Sequence, residues 1–296
     1  MHIRQWTGIT GGGMLGQKLL IILFKFVNVK AVYWILWLVV PFYMLINRKS
    51  YKAIYHYFRQ QWSEPPLKAF YKTYRNHIIF GQCMFDRLAV YAGQRDAFKQ
   101  QTTGYEHIER WMQNKSGFVV ATAHAGNFEI GGYLSGQMQK SMLTMTFGGE
   151  SEVITSNRAQ QLNANNITAL NNSADMTHLF ILRNALLEGK MVTILCDRML
   201  GSEKSIECPF LNGRADFPQG AFALAVNVNV PIVAVFVMKE KRSVYHVYFT
   251  PLEIVNIENM SRQEKISAYA KKYVAALETV LRKYPEQWFN FYEFWK

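Results

Sequence analysis

The sequence predicts an α/β protein with a mostly parallel sheet flanked by helices, preceded by an N-terminal helical region. The chain has 296 residues, half of them hydrophobic and 18% charged, which suits a large core and excludes a disordered or low-complexity chain. Beyond residue 115, short apolar runs alternate with helical stretches, the pattern of a parallel sheet. The net charge of +12 is also uneven, because residues 1–115 hold 16 basic and 5 acidic side chains and residues 116–296 hold 17 and 16. We therefore divide the chain into a basic helical region, 1–115, and one continuous α/β body, 116–296.

The first element is an apolar tract over residues 15–46. Its longest uncharged run, residues 31–47, has 17 residues and contains Pro41. A spanning helix needs about 20 apolar residues, and 17 is near the lower limit. Three lysines at near-helical intervals interrupt the preceding stretch, which predicts a basic amphipathic helix followed by a short, deeply embedded one. The pair can lie in the bilayer interface or span it, and a buried core helix of a soluble protein is the alternative.

A basic tract follows the apolar run directly and favours membrane attachment. Residues 47–52 include Arg48, Lys49 and Lys52, and each basic residue near an anionic leaflet contributes about 1 kcal/mol. Aromatic side chains of the run also fit the headgroup region: Tyr33, Trp34, Trp37 and Tyr43. We expect this region to bind an anionic membrane surface on the cytoplasmic face.

Other features of the chain narrow its class. The G-x-G-x-x-G match at residues 11–16 follows no strand, so it does not predict a dinucleotide site. Many aromatics lie inside apolar runs, where they cannot stack on bases, so no nucleic acid partner is expected. Three cysteines without C-x-x-C spacing predict a reducing compartment and no metal site. Residues 51–113 have aromatics at three- and four-residue spacing, which predicts helices with core-facing aromatics.

The body reads as strands alternating with helices. Five apolar runs predict strands at residues 118–123, 142–147, 191–196, 231–238 and 245–250. Helical stretches are predicted at residues 156–165, 174–188 and 219–227. Ser261 and Glu264 form a capping box that opens a long amphipathic helix to about Lys283.

One turn of the body carries a chemical pattern. The first strand is followed by His124-Ala-Gly-Asn-Phe-Glu129, and functional groups gather beyond the carboxyl ends of parallel strands. Residues five apart point about 140° apart on one helix, so His124 meets Glu129 only if His124 lies on the turn before the helix, which Gly126 makes easy. A carboxylate against the imidazole would fix its tautomer and stabilise its cation, making His124 a general base for a hydroxyl or amine. The alternative is a core histidine near a helix-capping Glu129.

The sequence lacks a plausible protein nucleophile. Ser135 does not have the flanking glycines of a nucleophile elbow. No cysteine that follows a strand has the neighbouring residues of a catalytic nucleophile. This favours direct attack by an acceptor over a covalent acyl-enzyme.

The turn resembles the H-x4-D/E block of the lysophospholipid acyltransferase superfamily. Its Gly-Asn-aromatic-Glu form is similar to the branch of lipid A late acyltransferases. Blocks similar to that branch recur at residues 194–197, 209–213, 217–220, 230–233 and 284–288. The opening Trp6-x-Gly8-x-Thr10 looks like a subgroup from Bacteroidetes-type bacteria.

The resemblance implies transfer of a fatty acyl group from acyl carrier protein, or from CoA, to a hydroxyl or amine of a lipid acceptor. It also implies the cytoplasmic face of a bacterial inner membrane and no cofactor beyond the acyl thioester co-substrate. His124 maps onto the base and Glu129 onto its partner. Candidate substrate-binding residues are Asn127, Asp197, Arg198 and Arg158.

Two departures from the branch leave the acceptor open. An arginine expected soon after the second strand is absent at residues 147–150, where Arg158 or Arg183 would have to substitute. A His-Arg pair near the C-terminus is replaced by Phe291-Tyr-Glu-Phe294. Lipid A, an ornithine or glycine lipid, and a polyene pigment all remain candidate acceptors. A hydrolase that releases free fatty acid and a non-catalytic lipid-binding protein are the rival classes.

Overall fold

The first elements that the structure describes are a pair of helices. The computed structural model describes residues 14–136, 138–146, 150–171, 177–199 and 204–295. Helix α1 is Met14–Phe26 and α2 is Val29–Ile46, and the Asn28 side chain caps α2 by accepting from the Lys30 N–H at 3.0 Å. The predicted pair of N-terminal helices is confirmed. The motifs at residues 6–10 and at the start of 11–16 lie outside the described residues.

Helix α2 has one protein-facing and one open face. It continues through Pro41 over 18 residues, about 27 Å, and it is the only described helix long and apolar enough to cross a membrane. Two elements follow α2 in the chain, helix α3 (Arg48–His56) and a π-helical turn at Tyr57–Gln61. The buried stripe of α2 packs against the next helix, α4 (Pro66–Tyr91). The opposite face exposes large apolar side chains: Trp34, Trp37, Leu38, Val39, Phe42, Leu45 and Ile46.

The centre of the protein is a seven-stranded sheet with the order β1-β9-β8-β2-β5-β3-β4 among the described residues. The strands β8, β2, β5, β3 and β4 are parallel, whereas β9 runs antiparallel to β8 and β1 is parallel to β9. A separate hairpin consists of β6 and β7. The bounds are β1 Lys99–Thr103, β2 Phe118–Thr122, β3 Met142–Thr146, β4 Ile167–Asn171, β5 Met191–Leu195, β6 Ser205–Phe210, β7 Gly213–Pro218, β8 Ile232–Lys241 and β9 Val244–Pro251. The predicted mostly parallel α/β class is confirmed.

The strand β1 corrects one expectation. The sequence predicts helices throughout residues 51–113, yet Lys99–Thr103 form an edge strand of the sheet. This strand is entirely polar and four of its five residues are exposed, so it lacks the apolar alternation that marks a strand. The sheet therefore takes one strand from the part of the chain before residue 115.

Helices cover both faces of the sheet. Helices α6 (Phe128–Leu134) and α7 (Glu152–Asn163) lie with α4 on one face, near the short α5 (Glu109–Gln113). Helices α8 (Thr177–Leu187), α9 (Gly220–Val228) and α10 (Arg262–Lys283) pack on the other. The Ser261–Glu264 capping box of α10 is formed as predicted. Helix α6 follows β2 on one face of the sheet and α9 precedes the neighbouring β8 on the other, so the chain connections change direction at β2, where folds of this kind gather functional groups.

The turn after β2 is held between β8 and the C-terminal segment. The Gly126 N–H donates to the Gln287 carbonyl at 2.7 Å, and the Asn127 N–H donates to the Val237 carbonyl at 2.7 Å. The Phe289 N–H donates to the His124 carbonyl at 2.9 Å. Gly126 has φ +65°, a conformation that glycine adopts without strain.

We expect Gly126→Ala to lower the stability of the protein by more than the cost of placing an alanine in the left-handed backbone conformation. A Cβ at this position would lie 2.0 Å from the Val237 carbonyl oxygen, so backbone must move. Gly136→Ala is the matched control, because Gly136 has φ +73° and a Cβ added there would meet no atom of the described residues within 4 Å. This variant should lose about 1–2 kcal/mol of stability. Equal thermal unfolding midpoints for the two variants would contradict the close packing of the turn.

Candidate active site

The sheet brings His124 and Asp197 together. In the register of β2 and β5, Thr122 lies opposite Leu195, so the residues two positions further on, His124 and Asp197, emerge side by side. The His124 Nδ1 lies 2.8 Å from Asp197 Oδ1, and the His124 backbone N–H donates to Asp197 Oδ2 at 2.9 Å. Trp288 Nε1 donates to the same Oδ2 at 3.1 Å. One buried carboxylate therefore fixes both the backbone and the ring of His124.

The surroundings keep Asp197 ionised. Burial raises the pKa of this fully buried carboxyl, but the His124 imidazole, the Arg198 cation and the Trp288 N–H together hold it below its ordinary value. An ionised Asp197 accepts hydrogen bonds only, so the His124 Nδ1 carries the proton. The Nε2 then has a free lone pair, and it makes no hydrogen bond with any described residue.

The surroundings also keep His124 neutral. Burial, followed by the Arg198 cation, lowers the pKa of His124 below 6.5, against the opposing effect of Asp197. At neutral pH the imidazole is therefore unprotonated at Nε2. A neutral histidine whose Nδ1–H is held by a carboxylate is suited to accept a proton from a hydroxyl or amine.

Glu129 has different partners from those the sequence predicts. Its carboxylate accepts from Arg87 at 3.0 Å, from Arg158 at 2.9 and 3.2 Å, and from the Tyr133 hydroxyl at 2.7 Å. Among the described residues there is no hydrogen bond or ion pair between Glu129 and His124; the imidazole partner is Asp197 instead. The reason is topological, because α4 and α7 bring two arginines to the first turn of α6.

Glu129 belongs to a compact cluster of two arginines and two glutamates. Glu150 also pairs with Arg87, at 3.3 Å, and with Arg158. The four side chains are 6–13% exposed. Burial raises the pKa of Glu129, but Arg87, Arg158 and Tyr133 outweigh it and lower the pKa to about 2. Glu129 therefore remains ionised, and its charge balances the arginines.

The remaining predicted site residues have defined places. Asn127 is buried, and its Nδ2 donates to the Cys83 carbonyl at 3.1 Å and the Tyr245 hydroxyl at 3.3 Å. Arg198 is buried beside the His124–Asp197 pair, and its Nη2 donates to the Phe289 carbonyl at 2.7 Å. Arg158 lies in the cluster with Glu129, while Arg183 is exposed on α8. Asn127 and Arg198 thus brace the turn and the C-terminal segment around His124.

An apolar cavity of about 640 Å³ lies between the sheet and α6. Its volume falls in the range of ligand-binding pockets. Along β2 it extends from Phe118 to Thr122, four residue steps or about 13 Å. Thr122, Glu129 and Arg158 line it near the carboxyl ends of the strands; His124 follows Thr122 by two residues and is not among the lining residues. The walls elsewhere are mainly aliphatic, aromatic and methionine side chains from five strands and from residues 105–112: Ile108, Met112, Val120, Met142, Met191, Val233, Val235, Val247 and Phe249.

Sequence reasoning missed three residues that build this site. Trp288 and Gln287 hold Asp197 and the turn, and Arg87 holds Glu129. The block at residues 284–288 stands out in the sequence for its resemblance alone, because a Trp after a long amphipathic helix gives no hint of its partner. Arg87 lies 42 residues from Glu129 in an ordinary helical stretch, so no local pattern marks it.

The fold and site define an α/β protein with a His124–Asp197 pair after its central parallel strands and an apolar cavity between the sheet and α6. The comparison with protein families identifies the class: the model of the bacterial lipid A biosynthesis acyltransferases matches residues 70–296. The chain therefore belongs to this family and is an acyltransferase of the lipid A type. Among curated proteins, no relative matches the chain.

We expect Glu129→Gln to lower stability by about 3–5 kcal/mol, because it leaves two buried arginines with Glu150 as their remaining carboxylate in the cluster. The measurement is thermal or urea unfolding of the purified protein. Glu207→Gln is the matched control, since Glu207 pairs with Arg214 on the surface, where both side chains are at least half exposed. An unchanged unfolding midpoint for Glu129→Gln would contradict the structural importance of the cluster.

Proposed function

We propose that this protein transfers a fatty acyl group from an acyl thioester, carried by acyl carrier protein or CoA, to a hydroxyl or amine of a lipid acceptor. Lipid A or a related lipid is the proposed acceptor. The observation that carries the proposal is the His124–Asp197 pair, which leaves a neutral Nε2 available at the carboxyl end of β2. Family membership supports acyl transfer, and the geometry supports His124 as the base.

In the proposed reaction, His124 Nε2 removes the proton of the acceptor hydroxyl or amine as that atom attacks the thioester carbonyl carbon. The tetrahedral intermediate collapses with cleavage of the C–S bond. The leaving thiolate takes the proton from the imidazolium, so His124 returns to its neutral form. Asp197 stabilises the imidazolium between these steps, and the nearby Arg198 cation favours the negative oxygen of the intermediate.

The apolar cavity is the proposed site of the acyl chain. Its lining along the strands is mostly apolar, as a hydrocarbon chain requires, and its polar lining includes Thr122, Glu129 and Arg158 near the carboxyl ends of the strands. We propose that the chain lies along the sheet with its carbonyl toward His124. Glu129 acts in this arrangement by holding Arg87 and Arg158 in place, so that the wall of the cavity carries no unbalanced charge.

The proposed location is the cytoplasmic face of a bacterial inner membrane. The exposed apolar face of α2 and the exposed apolar residues of α1 support contact with lipid, and Arg48, Lys49 and Lys52 are exposed on α3 directly after α2. An apolar face bordered by basic side chains is typical of proteins bound to anionic membranes.

Replacement of His124 by Ala tests the function. We expect acyl transfer from acyl thioester to a lipid A precursor in mixed micelles to fall by about 10²–10⁴, because the general base is lost. For the wild type, the rate should fall toward acidic pH with a midpoint below the ordinary pKa of a histidine, because protonation of His124 removes the base. Release of free fatty acid without an acylated lipid would identify a hydrolase, and an unaffected His124→Ala rate would refute the catalytic assignment.

Asp197→Asn tests the role of the carboxylate in the same assay. Two N–H groups, from His124 and Trp288, point at Oδ2, so the Asn oxygen must occupy that position. The amide NH2 then faces Nδ1 and forces the proton onto Nε2, which is the wrong tautomer for a base. We expect a fall in kcat of about 10⁴, as for a comparable change in serine proteases, with circular dichroism like that of the wild type.

We expect replacement of Arg48, Lys49 and Lys52 by Gln to weaken binding to phosphatidylglycerol vesicles by about two orders of magnitude, from about 1 kcal/mol per charge. Flotation with the vesicles measures binding. Gln at Arg262, Lys271 and Lys272 on α10 is the control, since it removes the same charge from exposed positions of the body. Equal binding by the two triple variants would assign the basic tract to another partner.

A further inference from the structure

A buried polar cluster lies away from the His124–Asp197 pair. Asp86 of α4 is fully buried, and its carboxylate accepts hydrogen bonds from Tyr33 of α2, Lys239 of β8 and Tyr245 of β9. The Lys239 ammonium also donates to the Tyr33 hydroxyl at 3.2 Å and the Arg242 carbonyl at 3.1 Å. A buried ion pair with this many partners fixes the relative placement of the elements that contribute to it.

The cluster reaches the turn that carries His124 by two routes. The Asn127 Nδ2 donates to the Tyr245 hydroxyl at 3.3 Å, which itself donates to Asp86. The backbone of Lys239 exchanges two hydrogen bonds with the Gln287 side chain, at 2.9 and 2.7 Å, and the Gln287 carbonyl accepts from the Gly126 N–H. Both routes end on residues two or three positions after His124.

The same cluster reaches the lipid-facing helix through one residue. Tyr33 lies on the buried stripe of α2, next in sequence to Trp34, which is 61% exposed on the open face. Three hydrogen bonds connect Tyr33 to Asn127. Tyr33 and Tyr245 both donate to Asp86, and Asn127 donates to Tyr245. The position of α2 and the position of the turn are therefore fixed by one shared carboxylate.

We propose that Tyr33 and Asp86 are positioning residues, through which the seating of α2 on the body holds the catalytic turn in place. The proposal rests on the proposed function, in which His124 on that turn is the base. The bilayer-facing helix thereby does more than attach the protein: when α2 is correctly seated, Asn127 and Gly126 are held, and His124 keeps its place beside Asp197.

Tyr33→Phe tests the link, because it removes one hydroxyl and keeps the ring. We expect a 3- to 10-fold fall in kcat, the order expected for one hydrogen bond, with KM for the acyl thioester within about twofold. Hydrogen exchange measured by mass spectrometry should also become faster in residues 123–130. Flotation with phosphatidylglycerol vesicles should be unchanged, since the open face of α2 is untouched.

Tyr74→Phe is the matched control. The Tyr74 hydroxyl donates to the Trp37 carbonyl at 2.6 Å, so this variant also removes one hydrogen bond between α4 and α2, but outside the Asp86 cluster. Its kcat and its exchange in residues 123–130 should match the wild type. A purely structural role for Tyr33 predicts that both variants lose stability and that neither changes kcat per folded enzyme.

A double variant measures the coupling. If Tyr33 acts through Tyr245, the Tyr33→Phe/Tyr245→Phe enzyme should be no slower than Tyr245→Phe alone, whereas independent effects multiply. Unchanged exchange in residues 123–130 of Tyr33→Phe would overturn the proposal. Multiplied effects in the double variant would overturn the Tyr245 route and assign the link to Lys239 and Gln287. If the wild type transfers no acyl group but hydrogen exchange in residues 123–130 is faster in Tyr33→Phe, the link from Tyr33 to the turn is supported. The proposed function is then refuted.

Discussion

The buried carboxylate of Asp197 is the constraint on which the rest of the site depends. A charge removed from water is costly unless donors surround it, and here three donors come from two distant parts of the chain. The turn after β2 supplies the His124 N–H and imidazole, and the C-terminal segment supplies Trp288. The carboxylate is satisfied only when β2, β5 and this segment are in register. The interaction that orients the His124 imidazole is thus also one that holds the C-terminal segment against the sheet.

Most of the body was predictable because its signals are local. Apolar runs marked β2, β3, β5, β8 and β9, and Ser261 with Glu264 marked the start of α10. Strands β1, β4, β6 and β7 were missed. The edge strand β4 has only five residues, Ile167–Asn171, in which a threonine and an asparagine interrupt the apolar side chains. Strand β1 is polar because it lies at an exposed edge, and β6 and β7 pair with each other in a hairpin outside the main sheet. Such strands are stabilised by pairing with a neighbour, which their own residues do not encode.

The site was predictable only in part, for the same physical reason. His124 follows a buried strand and precedes a glycine turn, and both features are visible in sequence. Its partner depends on which strands are neighbours, and strand order is a property of the whole sheet. Once β2 and β5 are adjacent, their register alone places Asp197 opposite His124. Glu129 lies five residues after His124, as the sequence pattern requires, but its carboxylate pairs with Arg87 and Arg158, which are 42 and 29 residues away in the chain.

The excess basic side chains of residues 1–115 lie in two kinds of place, in a buried ion-pair cluster and on the exposed surface. Within residues 1–115, Arg87 is buried against glutamates of the body, so it contributes nothing to an outer surface. Lys18, Lys25, Arg48, Lys49 and Lys52 are exposed on α1 and α3, on either side of the apolar helix α2. An anionic leaflet would therefore attract the ends of α2 while its apolar face enters the lipid. Because α2 is also tied to the body through Asp86, this attraction would act on the body as a whole and would set the orientation of the cavity relative to the bilayer.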